Sequence, residues 1–213
     1  MQKNECLGIN FFPSYSDKKQ LKQCIQLIDN LNSGWVRLDF DWYSNLNIDY
    51  YDELILELIR KKIKILGLVY GLIHGTLKSF LFNKKRKSPL DNLNDYKSFL
   101  ERVCKRYSSY INYWEIWNEE NTNRFWFSKP SVEEYSLLLR ESNNIIKKIS
   151  GKNKIVLGGI AGNDIDNLPF AQKNFVLSLI KNNQIQYVDV LAIHPYIIDC
   201  FFSLSKKKRK ICC

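Results

Sequence analysis

The stretch Tyr113-Trp114-Glu115-Ile116-Trp117-Asn118-Glu119-Glu120-Asn121 decides how this chain reads. Its first part, Tyr113–Asn118, is aromatic and apolar enough to be a buried strand, and its end is abruptly polar. Carboxylates and amides crowded at a strand's C-terminal end mark the place where parallel α/β sheets carry their sites. The flanking segments decide whether such a sheet exists.

On the N-terminal side, short apolar runs at Cys6–Asn10, Trp35–Phe40 and Ile63–Tyr70 alternate with helical patterns. A helix near Lys18–Leu31 gathers Leu21, Cys24, Ile25, Ile28 and Leu31 on one face, with Asp17 as its N-cap. A second, near Tyr51–Lys62, gathers Leu54, Ile55, Leu58 and Ile59. Ile63–Tyr70 is almost continuously apolar, as strands covered on both faces are. Tyr96, Phe99, Leu100, Val103, Cys104 and Tyr107 then recur at helical spacing. On the C-terminal side, Ser131 with Glu134 forms a capping-box signal that opens a helix bearing Tyr135, Leu138, Leu139, Ile145, Ile146 and Ile149. A strand at Lys154–Ile160, a helix near Ala171–Asn182 and a strand at Val188–His194 follow.

This alternation predicts a parallel sheet with helical crossovers. No G-x-G-x-x-G follows a strand, which speaks against dinucleotide binding. A complete barrel takes about 250 residues; this chain has 213. The expected fold is therefore α/β, an incomplete (β/α)₈ TIM barrel with strands one to six present and seven and eight missing. Residues 1–196 form the barrel domain and 197–213 a basic, disordered or out-of-frame tail.

The net charge of +10 is concentrated in Lys84–Lys87 and Lys206–Lys210. Neither run is interleaved with stacking aromatics, so they read as solvated loop and tail rather than a nucleic-acid or membrane surface. Neither a secretion signal nor a membrane-length apolar run is present, and the reading is cytoplasmic. The six cysteines, Cys6, Cys24, Cys104, Cys200, Cys212 and Cys213, lack CxxC spacing and read as free, mostly buried thiols. His74 and His194 are the only histidines, no cluster has metal-ligand spacing, and neither metal nor cofactor is expected.

Three predicted strands end in polar groups: Arg37-Leu38-Asp39-Phe40-Asp41-Trp42, the central Asn118-Glu119-Glu120-Asn121, and His194-Pro195-Tyr196. Trp-Glu-Ile-Trp-Asn-Glu, followed by Asn121 and Phe125-Trp126, resembles the Trp-Asn-Glu-Pro signature of clan A glycoside hydrolases. It is most similar to glycoside hydrolase family 39, the β-xylosidase and α-iduronidase group, with a cellulase-like family 5 relative as the alternative. The resemblance covers residues 6–196 and departs from the signature at Glu120, where proline is usual.

The resemblance implies an oligo- or polysaccharide substrate cleaved by retaining double displacement. Glu119 matches the general acid/base, with a pKa raised by burial and by the nucleophile carboxylate. Asn118 matches the residue that bonds the sugar 2-hydroxyl, Arg37 one that positions the nucleophile, and His194 and Tyr196 groups lining the cleft; Trp126 would stack on a sugar face. Structural alternatives stand beside these: Arg37 paired with Asp39, His194 as a core histidine, Trp114 and Trp117 as packing.

The family's nucleophile is a glutamate at the end of strand seven, and Glu141 is the last glutamate of this chain. Asp164, Asp166, Asp189 and Asp199 do not fit the role. The expectation is an inactive, truncated glycosidase whose open barrel edges self-associate. The alternatives are a non-catalytic carbohydrate-binding protein and a basic module for nucleic acid or membrane surfaces.

Overall fold

The computed structural model describes residues 3–11, 18–42, 48–71, 89–126, 129–162 and 172–195. Six strands form one parallel sheet: β1 (Asn4–Phe11), β2 (Ser33–Asp41), β3 (Lys64–Tyr70), β4 (Tyr113–Asn118), β5 (Lys154–Ala161) and β6 (Ile193–His194). Their order in the sheet is their order in the sequence. A doubly wound sheet reverses direction at a switch point, whereas a barrel adds each strand beside the last. The fold is thus the first six strands of a (β/α)₈ barrel, as expected.

Five α-helices are described: α1 (Lys18–Asn30), α2 (Tyr50–Arg60), α3 (Leu93–Tyr107), α4 (Val132–Ile149) and α5 (Gln172–Lys181). None is long and apolar enough to cross a membrane. Each buries its apolar stripe on the outer face of the sheet. Leu54, Ile55 and Leu58 of α2, Tyr96, Leu100 and Val103 of α3, and Tyr135, Leu138 and Leu139 of α4 are fully enclosed. The outer residues of β2, Val36, Leu38 and Phe40, meet them, and Phe40 packs against Tyr51 and Tyr107 at 4.6 and 5.7 Å between centroids. Period-two alternation therefore turns Arg37, Asp39 and Asp41 to the inner face.

Helix ends explain the strand entries. After α2, Lys62 takes a left-handed φ of 58°, and the Ile63 and Lys62 N–H groups donate to the Leu58 and Ile59 carbonyls. That closure satisfies orphan carbonyls and aims the chain into β3. At α4 the Ser131 hydroxyl accepts the Glu134 N–H at 3.2 Å, as the capping box predicts. The Glu134 carboxylate does not complete the box; it accepts the Trp126 indole N–H.

Some expectations are corrected. Leu31 is 53% exposed, because α1 stops at Asn30 and Asn32 turns left-handed before the predicted face closes. The last strand is ladder only at Ile193–His194; Val190 makes one isolated bridge to Val156. Leu191 and Ile193 are about half exposed there, since no described strand covers the far side of β6. Of the described cysteines, which are free, only Cys104 is buried, while Cys24 is partly covered and Cys6 exposed. Asp17, His74, both basic runs and residues 196–213 lie outside the described residues.

Candidate active site

The inner C-terminal end of the sheet is organised around Arg37. Its Nε donates to Glu115 Oε2 at 2.6 Å, and its Nη2 donates to Glu115 Oε1 at 2.8 Å and Asn118 Oδ1 at 2.7 Å. Glu115 is only 1% exposed and also accepts the Gly159 N–H at 2.9 Å. The guanidinium fork suits a carboxylate held in this way. Burial acts against its charge, but the bonds to Glu115 leave the Arg37 pKa raised. The alternative of a barrel-interior ion pair is met with Glu115, not Asp39, as the hydrogen-bonded partner, while Asp39 still feels the Arg37 charge.

Glu115 and Asn118 stand three residues apart, an offset that a regular strand would send to opposite faces. Both reach Arg37 because Trp117 adopts a φ of 69°. That conformation is costly for an aromatic residue and persists where packing over-determines it. Trp117 is buried against Tyr96 and Trp126, and its indole N–H donates to the Phe125 carbonyl at 2.9 Å. An outer aromatic cluster thereby holds an inner polar one.

Glu119 follows with a second left-handed φ, 47°. Its N–H donates to the Gly159 carbonyl, and its own carbonyl accepts the Thr122 N–H and hydroxyl. Asn121 fastens the turn to β5 by exchanging two 2.9 Å bonds with the Ala161 backbone. The Glu119 carboxyl, in a residue only 6% exposed, lies 2.9 Å from His194 Nδ1. The ring lies flat over Gly159, where an added Cβ would stand 2.2 Å from Nε2 and 2.6 Å from Cε1. Glycine here leaves room for the imidazole, which bridges β6 to the β4 carboxyl and is not an enclosed core histidine.

Further carboxyls share the inner face of β2. Burial raises the Asp39 pKa to about 6, against the opposing pull of Arg37 and Tyr70; Glu115 and Asp41 add to the rise. Burial likewise pushes the Tyr70 phenol up, as do the charges of Asp39 and Asp41. A displaced carboxyl such as Asp39 at a strand end is a candidate mark of a site.

The arrangement brings together Arg37, Asn118, Glu119 and His194. Tyr196 lies outside the described residues. Trp126 is corrected: it is fully buried, edge-on to Trp117 and Tyr135, with its N–H 2.9 Å from Glu134 Oε2. It has no face left for a sugar. Trp114 and Trp117 are packing residues, as expected. Asp189 pairs with Lys147 and Lys154 at the opposite end of the sheet and accepts the Ile155 N–H. Sequence reasoning gave Glu115 no role and named Asp39 and Asp41 only as strand-end charges. The two aspartates were legible from the alternation beginning at Arg37, but Glu115 was hidden by its odd offset from Asn118. Among the described residues, no three His, Cys, Asp or Glu side chains are grouped to hold a metal.

The fold and the strand-end cluster define the chain as a partial (β/α)₈ barrel bearing a carboxyl–amide–histidine site. Among solved structures it is similar in fold to a family 39 glycoside hydrolase from Bacteroides cellulosilyticus WH2, with 17% identity over 90% of this chain and 38% of that one, TM-score 0.64. A glucosidase from Croceicoccus marinus matches with 15% identity over 89% of this chain and 44% of that one, TM-score 0.64. A β-galactosidase from the psychrophilic Marinomonas ef1 matches with 11% identity over 89% of this chain and 40% of that one, TM-score 0.62. The chain thus spans 38–44% of the length of these structures, and the likeness is one of fold. No protein-family model and no curated relative matches the sequence.

Proposed function

We propose that the cleft at the ends of β2, β4 and β6 binds a glycoside, and that Glu119 acts on the glycosidic oxygen as general acid/base. The observation that carries this reading is the Glu119 carboxyl, nearly enclosed and 2.9 Å from His194, next to an Asn118 oriented by Arg37.

Each group has a task. The Arg37 donation occupies Asn118 Oδ1, so the Asn118 Nδ2 protons are left for a sugar hydroxyl acceptor such as the 2-hydroxyl. His194 fixes the direction of the Glu119 carboxyl. Glu119 gives its proton to the departing oxygen as the anomeric bond breaks and takes one from water in the return step. Retention requires a second carboxylate about 5–5.5 Å away on the opposite ring face. Glu115 is committed to Arg37 and Gly159, and the reading assigns the second carboxylate to no described residue. The chain by itself is expected to bind sugar and to turn over little.

The test uses 4-methylumbelliferyl xyloside, glucoside, galactoside and iduronide, with and without azide. Azide attacks the anomeric carbon, the bond to the aglycone oxygen breaks, and Glu119 protonates that oxygen. Release that appears with azide and disappears in Glu119→Gln supports the proposal. Saturable binding without release under either condition points instead to a non-catalytic carbohydrate-binding protein. Neither binding nor release, with salt-dependent DNA or anionic-vesicle binding, overturns the sugar reading.

A further inference from the structure

Two consecutive glutamates end the β4 segment, and β5 runs between them. Glu119 reaches the inner side and meets His194 over Gly159. Glu120 turns to the outer side beneath α4, where it is fully buried. Its carboxyl fits only because residue 158 is glycine: an added Cβ would lie 2.3 Å from Glu120 Oε2 and 2.7 Å from the Ile116 carbonyl. The Gly158-Gly159 pair is clamped between the carboxyl on one side and the imidazole on the other.

We propose that Glu120 is a positioning residue for Glu119, its carboxyl seated in the gap behind Gly158 and anchoring the turn that carries Glu119 to His194. The role rests on reading Glu119 as the site's carboxyl.

The surroundings of Glu120 favour a neutral acid over a carboxylate. Neither of its oxygens has a partner at full hydrogen-bond geometry, although its own backbone N–H and the Tyr135 phenol lie close enough to favour the charged form in part. The Tyr135 phenol of α4 stands beside it, but its O–H donates to the Ile116 carbonyl and its oxygen accepts the Gly158 N–H, each at 3.0 Å. The phenol proton is therefore already committed, while a phenol lone pair can still accept from a carboxylic O–H. Burial pushes the Glu120 pKa well above the usual range, against the opposing pull of its own backbone N–H and of Tyr135, and the charges of Glu115 and Glu119 add to the rise. The titratable groups facing it are thus Glu115 and Glu119 from β4 and its turn and Tyr135 from α4; β5 contributes only Gly158. Ionisation requires water, and water requires the side chain to leave. Because Glu119 is the preceding residue, the turn then shifts and the Glu119–His194 contact opens. Glutamine preserves the shape and never ionises.

The experiment follows the His194 ring by NMR in the full chain, with His74→Gln to assign the two histidines. All proteins are compared at one pH. In Glu120→Gln, which keeps the shape of the side chain, the His194 signals are expected to stay with those of the parent. In Glu120→Ala they move to those of Glu119→Gln, with folding checked by far-UV circular dichroism. Parent-like signals in a folded Glu120→Ala, or Glu120→Gln signals displaced as far as those of Glu120→Ala, overturn the proposal. The readout uses no sugar, so failure of the glycoside reading appears separately, as silence in the umbelliferyl assay with these shifts intact.

Discussion

Removing one partner of the Arg37–Glu115 pair is the most informative perturbation of the inner face. The structure gives Arg37 three charge-assisted bonds of 2.6–2.8 Å, two of them to a glutamate that is 1% exposed. Arg37→Met leaves Glu115 with only the Gly159 N–H, an almost unpartnered buried charge. Breaking such a pair from one side costs about 3–5 kcal/mol. For a chain of this size that lowers Tm by roughly 6–20 °C. Glu115→Leu, which strands the guanidinium, is expected to cost a similar amount. In Arg37→Met/Glu115→Leu no charge is left behind. The residual loss is that of Asn118 and the Gly159 N–H deprived of partners, about 1–3 kcal/mol. The double variant should therefore be no worse than either single variant, with a coupling of at least about 2 kcal/mol. Urea unfolding followed by tryptophan fluorescence measures all four proteins, at reduced temperature if the single variants are marginal. Single variants within about 0.5 kcal/mol of the parent, or a double variant equal to their sum, would refute the argument that Arg37 neutralises the inner face.

Three further outcomes are expected. Asp39 has a folded pKa of about 6 against an ordinary 3.8, so the folded state holds its proton more tightly. Its contribution thus falls as pH rises from 3.8 towards 6 and levels off above that. Asp39→Asn should be more stable than the parent by up to about 3 kcal/mol at pH 7 and lose that advantage near pH 4; parallel pH profiles would contradict it. Gly159→Ala drives a Cβ into three His194 ring atoms within 2.7 Å, so the ring must move off Glu119. The expected cost is about 1–3 kcal/mol, with displaced His194 NMR signals; unchanged signals would show that the ring does not depend on that space. Trp126→Phe removes a buried indole N–H from Glu134 and should cost about 1–3 kcal/mol while leaving sugar affinity unchanged; a tenfold loss of affinity at unchanged stability would restore it as a sugar platform.

Much of this was legible from residue order. Apolar runs separated by helical stripes predicted strand positions to within two residues for β2, β3, β4 and β5, because burial on both faces demands that pattern. Ser131 announced the start of α4 by its chemistry. The last strand was legible in place but not in extent, since Val188–His194 was expected and only Ile193–His194 forms ladder, whose bonds depend on a neighbour that periodicity does not report. Trp126 was misread because an aromatic residue near a strand end looks alike whether it packs inward or faces a ligand; its partner Glu134 lies across a turn and into α4.

The sequence by itself determined the class of the fold, the strand ends that bear polar groups and the candidacy of Arg37, Asn118, Glu119 and His194, because alternation and residue chemistry are local properties. Tertiary structure alone decided that Arg37 is held by Glu115, that Glu119 meets a histidine 75 positions away, and that two successive glutamates part around β5. Those outcomes turn on left-handed backbone at Trp117 and Glu119 and on the room that Gly158 and Gly159 leave. The physical reason is that a non-glycine residue enters that conformation only when distant packing compensates its cost, and distant packing is not written in any local pattern.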